Sequence, residues 1–262
     1  HCCDKKGISI LEKEIVTFIK KNYTGEVKTS SRNIINPFEL DIYLPELNLA
    51  FEFDGLYWHS NVFKSADYHL NKTKMCKEKK IKLIHIFEDE WLEKKDLVKS
   101  KILSLINSYK LVISASKTKI NCLTKEEKDF FLAKNSLEGT KRSSTSISLI
   151  YKNEIIASMG FSKTADKKKF NMNFFIIKNE TKVFGAFSKM LKAFLSNKDE
   201  GTEVISQIDR RWSDGHVYIK NGFELIKEIK PKGWGVKQDK RTEEKSSRKI
   251  FDCGKEIYCF KK

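Results

Sequence analysis

The stretch Leu49–Ser60, LAFEFDGLYWHS, decides how the first part of this 262-residue chain is interpreted. It begins as the apolar run of a strand that enters a core, yet Glu52 and Asp54 lie inside it. Gly55 ends the run, and His59 follows after two aromatic residues. Carboxylates at the end of a buried strand, with an imidazole just beyond it, are typical of a functional site.

A second strand is predicted just upstream, over Phe38–Leu44, where alternation places Glu39 and Asp41 on one face. The short connection between the strands sets Asp41 beside Glu52. Two neighbouring carboxylates repel unless a positive charge lies between them, and such hard oxygen ligands suit Mg²⁺. The pattern predicts a metal that activates water, with His59 as the general base. An edge hairpin with a polar face, followed by a loop histidine, explains the spacing equally well.

The remaining periodicity predicts an α/β protein with two domains. Helical spacing over 9–22, 69–80 and 97–109 and a strand over 81–87 complete a first α/β domain, residues 1–112. Ser9 and Glu12 predict a capping box at the start of the first helix, and residues 24–37 are predicted to form a loop. The pattern then restarts as a helix, three strands, a helix, a strand, a short helix and a strand. The first two of these strands are predicted to form a hairpin that turns at Lys152-Asn153. This order predicts a second α/β domain over residues 113–262.

The charge is strongly basic, with 51 Lys and Arg against 35 Asp and Glu and a formal net charge of +16. The basic residues are concentrated in two stretches, 64–82 and 225–250. This balance favours a polyanionic partner, most often nucleic acid, although a lysine-rich composition that serves solubility is the alternative. The apolar runs are shorter than the ~20 residues of a membrane span, and no secretory signal is visible, so a cytoplasmic location with no membrane partner is expected.

The segments ELDIYLPELNLAFEFDGLYWHS (39–60) and YHLNKTKMCKEKKIKLIHIFEDEW (68–91) resemble the phage homing endonucleases of the EDxHD family. Their core is similar to very-short-patch-repair enzymes and has the PD-(D/E)xK fold. The resemblance implies cleavage of double-stranded DNA at a specific site with Mg²⁺ or Mn²⁺. It also implies these roles: Asp41 as principal metal ligand, His59 as general base, Glu12 as a helix carboxylate and Glu52 as a further acid.

Some positions depart from that family's pattern. Asp54 stands where a PD-(D/E)xK nuclease has its lysine, and Leu56 and Ser60 leave no structural zinc site near the Trp-His pair. The last acid of the family is not placed, with Asp67 and Asp89 as alternatives. His69 and Lys72 are able to contact phosphate but are interpreted as surface helix residues. The additional candidates for the site are Glu39, Asp54, Asp67, His69 and Lys72.

The element order of the second domain resembles the N-acetyltransferase superfamily. The segment VFGAFSKMLKAFL (183–195) falls where those enzymes hold the pyrophosphate of acetyl-CoA, but its Gly-rich turn is reduced to Gly185. This reduction argues against acetyl transfer. The block DRRWSDGHVY (209–218) resembles one that recurs behind phage endonuclease cores, which favours recognition of target DNA. The predicted DNA contacts lie in DRRWSDGHVY and in the basic arm KPKGWGVKQDKRTEEKSSRK: Arg210, Arg211, Trp212, Lys232, Lys240 and Arg241. An Arg–Asp pair, a packed Trp and a solvated loop are the structural alternatives.

The sequence thus predicts a metal-dependent, site-specific DNA endonuclease with an acetyltransferase-like recognition domain. Two alternatives stay open: a nucleic-acid-binding protein with an inactive site, and an acetyl-CoA-dependent acyltransferase. His1, Cys2 and Cys3 at the N-terminus are weak candidates for part of a metal knuckle.

Overall fold

A computed structural model describes residues 9–262, so the candidate knuckle at residues 1–3 lies outside the described residues. The chain divides into two compact units, each built from separate pieces of sequence. Unit 1 comprises residues 1–102, 209–214 and 229–255, and unit 2 comprises 103–208, 215–228 and 256–262. The predicted boundary at 112 falls ten residues after this break, and two segments assigned by sequence to the second domain lie in unit 1.

The secondary structure alternates between strands and helices along the whole chain, as expected for an α/β protein. In chain order the elements are α1 (Ile10–Asn22), β1 (Lys28–Ile35), β2 (Phe38–Leu44), β3 (Leu49–Asp54), α2 (Tyr68–Glu78), β4 (Lys82–Phe87), α3 (Glu88–Glu93), α4 (Lys95–Leu105), β5 (Leu111–Ser114), β6 (Lys119–Cys122), α5 (Lys125–Asn135), β7 (Thr145–Tyr151), β8 (Glu154–Lys163), β9 (Lys169–Ile177), β10 (Thr181–Phe184), α6 (Ala186–Leu195), β11 (Glu203–Asp209), α7 (His216–Ile219), β12 (Glu224–Ile229), β13 (Gly233–Lys237), β14 (Lys240–Thr242), β15 (Lys249–Phe251) and β16 (Lys255–Lys261).

Unit 1 is built on a four-stranded sheet of order β1-β2-β3-β4. The first three strands are antiparallel, and β4 runs parallel to β3. All six residues of β3 are buried because this strand is internal to the sheet, so its two acids are carried into the interior. The strand β1 was expected to be a loop. Most of its side chains are exposed, and an exposed edge strand carries no apolar pattern for sequence analysis to detect.

The C-terminal basic segment is folded rather than a mobile arm. It forms a three-stranded sheet of order β14-β13-β15 within unit 1. Val236 and Ile250 pack with Leu56 and Phe87 in a small apolar cluster. The segment therefore belongs structurally to the same unit as the strand that opened the sequence analysis.

Unit 2 contains a seven-stranded sheet of order β12-β16-β11-β9-β8-β7-β6. The β7–β8 hairpin turns at Lys152-Asn153, as predicted, and both residues have positive φ, as the tight hairpin turn requires. The helix α6 buries Phe187, Met190, Leu191 and Phe194 in the main apolar core of this unit. The rest of the described chain follows the predicted order of elements, with β5, β6, β10 and β13 to β16 as additions.

None of the helices in residues 9–262 combines the length and the apolar character that a membrane crossing requires.

Candidate functional site

Unit 1 contains a buried carboxylate surrounded by three imidazoles. Asp54, the last residue of β3, is fully buried. His59 Nδ1 lies 3.0 Å and His69 Nε2 3.2 Å from its Oδ1 atom, while His85 Nδ1 lies 2.9 Å from Oδ2. The three histidines come from the turn after β3, from α2 and from β4. The parallel register, which pairs Glu52 with His85, places all of them at one end of β3.

The hydrogen bonds fix the tautomers of two of these rings. His69 Nδ1 lies 2.6 Å from the backbone oxygen of Phe251, which only accepts, so this nitrogen carries a proton. His85 Nδ1 donates to Asp54 in the same way. Burial alone would raise the pKa of Asp54, but the adjacent His69 and His85 hold it well below its ordinary value. Burial lowers the pKa of His85 to about 4, so this ring is neutral at pH 7.

A lysine occupies the place where the sequence predicted a metal between Asp41 and Glu52. Lys72 on α2 is buried, and its Nζ donates to Glu52 Oε1. Asp41 Oδ2 accepts a hydrogen bond of 2.8 Å from the Phe53 N–H. Burial alone would lower the pKa of Lys72, but Glu52 and Asp41 raise it above its ordinary value. The two carboxyl groups are neighbours as predicted, yet the compensating charge comes from the protein itself.

The side chains that remain able to take a metal are therefore different from those expected for Mg²⁺. Asp54, His59 and His69 each offer one ligand atom, and the three atoms lie within 4.8 Å of one another. Two imidazole nitrogens and one carboxylate oxygen suit a transition metal better than Mg²⁺, which prefers oxygen ligands throughout.

An exposed aromatic rim adjoins His59. Trp58, Val62 and Phe63 are 56%, 59% and 47% exposed, although each is large and apolar. The rings of Trp58 and Phe63 lie 5.1 Å apart, and both contact the ring of Tyr57. The guanidinium of Arg248 lies 4.7 Å from the Tyr57 ring centre. We call Tyr57, Trp58, Val62 and Phe63 the aromatic rim.

Other predicted site residues lie in ordinary structural positions. The Glu12 N–H is capped by Ser9 in the first turn of α1, as the sequence predicted. Glu39 accepts a hydrogen bond from Arg32 at the edge of the sheet, and Asp67 is the exposed residue that precedes α2. The roles assigned to Glu12, Glu39 and Asp67 stay predictions. His69 and Lys72, interpreted as surface residues, are instead buried.

The predicted DNA-contacting arginines of unit 1 are engaged with carboxylates. Arg211 donates to Asp209 and Glu90, and Arg241 donates to Asp89 and Glu90. Both guanidinium groups also lie over the ring of Phe87, at 4.7 Å and 4.0 Å. This is the structural alternative that the sequence left open for Arg211, extended to Arg241.

The remaining predicted DNA contacts differ in their exposure. Arg210 is buried, and Trp212 is half-buried with Lys101 Nζ 6.0 Å from its ring. Lys232 and Lys240 are exposed and pair with Glu243 and Glu93. Exposed pairs of this kind exchange readily with solvent, so the two lysines stay predicted contacts.

Sequence analysis missed His85 and the backbone oxygen of Phe251 as parts of the site. His85 is the single polar residue in the buried part of β4, and that isolation is a signal that sequence analysis could have used. The Phe251 oxygen had no such signal, because the contact depends on β15, 182 positions from His69.

Unit 2 contains a second candidate binding feature. The strands β9 and β11 are parallel, and their pairing ends at Met172 and Ser206, although β9 continues to Ile177. The ring of Phe175, in the part of β9 that pairs with β8 but no longer with β11, lies 5.1 Å from Phe187 in the first turn of α6. The helix α6 begins after Gly185, which has φ 74° and offers no side-chain cap. Side chains at this edge of β9 and at the N-terminus of α6 therefore contact each other.

Comparison with known proteins gives matches to solved structures only; no family model and no curated protein matches. A GNAT-family acetyltransferase from Elizabethkingia anophelis with acetyl-CoA bound is 14% identical, with a TM-score of 0.36, over 56% of this chain and 99% of its own. The ribosomal-protein-S18-alanine N-acetyltransferase from Escherichia coli is 8% identical, with a TM-score of 0.38, over 55% and 93%. A Bacillus cereus GNAT acetyltransferase is 12% identical, with a TM-score of 0.35, over 55% and 97%.

These findings correct several expectations. The described chain has a mixed α/β fold, about 55% of the chain aligns with GNAT-family acetyltransferases at TM-scores of 0.35–0.36, and none of the structures named above is a PD-(D/E)xK nuclease. The matches are to acetyltransferases and not to nucleases, so the expected identity as an EDxHD homing endonuclease and the expected hydrolase activity are wrong. The expected Mg²⁺ or Mn²⁺ cofactor is also wrong, and the physical reason is that Lys72 already neutralises the Asp41–Glu52 pair.

Proposed function

We propose that this protein binds double-stranded DNA and that the aromatic rim of unit 1 contacts the bases. The observation that carries this proposal is the exposure of Trp58, Val62 and Phe63 side by side. Large apolar side chains in such a group are costly to leave in water, and proteins that kink DNA insert side chains of this kind between base steps.

The charge around the rim supports the same partner. Lys64 Nζ lies 4.3 Å from the ring centre of Tyr68, and Arg248 lies over Tyr57, so cations flank the aromatic side chains. The whole chain carries a net charge of +16. Lysine and arginine side chains neutralise phosphates and release counterions, while the rings supply stacking that does not depend on base sequence. Both requirements of DNA binding are thus met within unit 1.

The test measures the affinity for a DNA duplex after Trp58→Ala and Phe63→Ala are combined. Because stacking contributes about 1–3 kcal/mol per base, we expect affinity to fall about tenfold to a hundredfold. The matched control is Phe130→Ala in α5: this ring is 64% exposed and lies 3.9 Å from Lys134 Nζ, yet it is remote in sequence from the rim.

Fluorescence anisotropy with a labelled duplex, at two or more salt concentrations, separates stacking from charge. The rim variant should weaken binding while the slope of affinity against salt is unchanged, because no phosphate contact is lost. Equal affinity for the rim variant and the parent, or an equal loss in the Phe130→Ala control, would overturn the proposal. Tighter binding to a single strand than to the duplex would overturn the assignment to double-stranded DNA.

A second candidate function rests on unit 2, where we infer that an acyl-CoA thioester binds. The N-terminus of α6 offers backbone N–H groups to a pyrophosphate, and the unpaired edge of β9 offers hydrogen bonds to an extended chain. The contact between Phe175 and Phe187 brings the two together. Calorimetric titration with acetyl-CoA tests this: saturable binding with a stoichiometry of one supports it, and the absence of heat at high ligand concentration contradicts it.

A further inference from the structure

We propose that Asp54, His59 and His69 form a mononuclear site for a divalent transition-metal ion of the zinc type. This site differs from the Asp41–Glu52 pair by using nitrogen ligands. It stands independently of DNA binding, because its ligands lie inside unit 1 and the aromatic rim is exposed.

The geometry of the three ligand atoms fits such an ion. His59 Nδ1 lies 3.0 Å from His69 Nε2, and the distances from these nitrogens to Asp54 Oδ1 are 3.0 Å and 3.2 Å. With bonds of about 2.0–2.1 Å, ligand atoms are about 3.0 Å apart at right angles and about 3.4 Å apart in a tetrahedron. The observed triangle lies within this range, with an ion about 1 Å outside its plane.

The hydrogen bonds leave one oxygen of this cluster without a suitable partner. His69 Nδ1 donates to the Phe251 oxygen, so Nε2 is the ring nitrogen of His69 that faces Asp54 Oδ1 and His59 Nδ1. Asp54 Oδ1 is buried and accepts no hydrogen bond of acceptable geometry, despite two nitrogens within 3.2 Å. Burying such an unsatisfied carboxylate oxygen is costly. One divalent cation bonded to all three atoms removes the conflict.

The surroundings supply the supporting contacts that metal-ligating side chains have. A histidine ligand commonly donates its other ring N–H to a backbone carbonyl or a carboxylate, as His69 does to Phe251. The second oxygen of Asp54 accepts from His85, which fixes the orientation of the carboxylate. The side chain of His59 is 16% exposed, so the remaining coordination positions are reached from solvent. These features describe a site with three protein ligands and an open position.

Zinc binding to the untagged full chain tests the proposal. The background is Cys2→Ser with Cys3→Ser, so that the terminal thiols do not bind the metal. After treatment with chelator, titration with Zn²⁺ should show one site per chain, and Mg²⁺ in large excess should not compete. The variants are His59→Ala and His59→Gln, with His216→Ala, an exposed histidine of unit 2, as the matched control.

We expect His59→Ala and His59→Gln each to weaken Zn²⁺ binding at least tenfold, while His216→Ala leaves it unchanged. Because His59 is partly exposed, circular dichroism should show that these variants remain folded; His69→Ala, buried, is the stronger but more disruptive second variant. Substitution with Co²⁺ should give d–d absorption bands without thiolate charge-transfer bands, as expected for nitrogen and oxygen ligands. No saturable binding, binding unaffected by both His59 variants, or thiolate charge-transfer bands would overturn the proposal.

Discussion

The interiors of the two units are stabilised by different interactions, ion pairs in unit 1 and apolar packing in unit 2. The strand β3 of unit 1 buries Glu52 and Asp54 among apolar neighbours, and both need partners from α2, β4 and the turn that follows β3. The interior of unit 2 around α6 is mainly apolar, with Phe161 and Phe194 stacked 3.6 Å apart. Stability of the charged interior depends on ion pairing, because removing one partner leaves an unpaired buried charge. Stability of the apolar interior depends on filled volume, because removing a side chain leaves a cavity.

The largest expected effect comes from removing a buried charge from the interior of unit 1. Lys72→Met removes the ammonium from Glu52 and Asp41 and should destabilise unit 1 by about 4 kcal/mol, because an unpaired buried charge remains. All four tryptophans lie in unit 1, so tryptophan fluorescence during urea unfolding reports on it.

The control for this prediction removes both partners. Lys72→Met combined with Glu52→Leu should recover much of the loss, since replacing a buried ion pair by apolar side chains of similar size is often close to neutral. A Lys72→Met variant as stable as the parent would show that the pair does not hold the strand β3 in place.

The corresponding change in unit 2 creates a cavity instead. Phe194→Ala removes a ring that stacks on Phe161 and meets Phe170 edge-on, and we expect a loss of about 3 kcal/mol. Far-UV circular dichroism measures it. Phe194→Leu, which keeps most of the volume, should cost clearly less; an equal loss in both would rule out the cavity as the cause.

The same contrast explains what the sequence could predict. The strands β2 and β3 were predicted with their observed bounds, because alternation and burial agree there. The hairpin at Lys152-Asn153 followed from its turn, and the helix α5 from the pattern of its residues. Local sequence patterns were therefore enough to predict the helices and strands that pack an apolar face against a core.

The site was predicted in part. The neighbouring acids Asp41 and Glu52 were anticipated, but the buried positions of His69 and Lys72 were not. The helix α2 has few apolar residues, so its pattern is that of a surface helix, although it packs its polar side against buried acids. Pairings such as this are non-local, and periodicity along the chain carries no information about them.

A pH experiment sharpens the comparison, since only charged partners titrate. Burial alone would raise the pKa of Glu90, but Arg211 and Arg241 lower it below 4.5. A depressed folded-state pKa stabilises the protein above the ordinary value and loses that contribution as the pH falls through the folded value. Glu90→Gln should therefore cost about 2 kcal/mol at pH 7 and progressively less below pH 4.5.

Tryptophan fluorescence during urea unfolding at several pH values measures this difference. Glu93→Gln is the matched control, because Glu93 pairs with Lys240 on the surface and should change stability by less than about 0.5 kcal/mol. A cost for Glu90→Gln that is constant from pH 7 to pH 3 would contradict the assigned ion pairs.

The smallest expected effect comes from removing the N-terminal cap of one helix in each unit. In unit 2, Thr124 Oγ1 accepts from the Glu127 N–H at 3.2 Å and Glu127 Oε2 accepts from the Thr124 N–H at 2.9 Å, which completes a capping box. Thr124→Ala should cost about 1 kcal/mol by circular dichroism, and Thr124→Ser should restore it. Ser9→Ala at α1 removes a similar bond of 3.0 Å in unit 1. If both substitutions shift the urea midpoint followed by tryptophan fluorescence equally, the two units unfold in one transition despite their different interiors. If only Ser9→Ala shifts it, each interior stabilises its own unit.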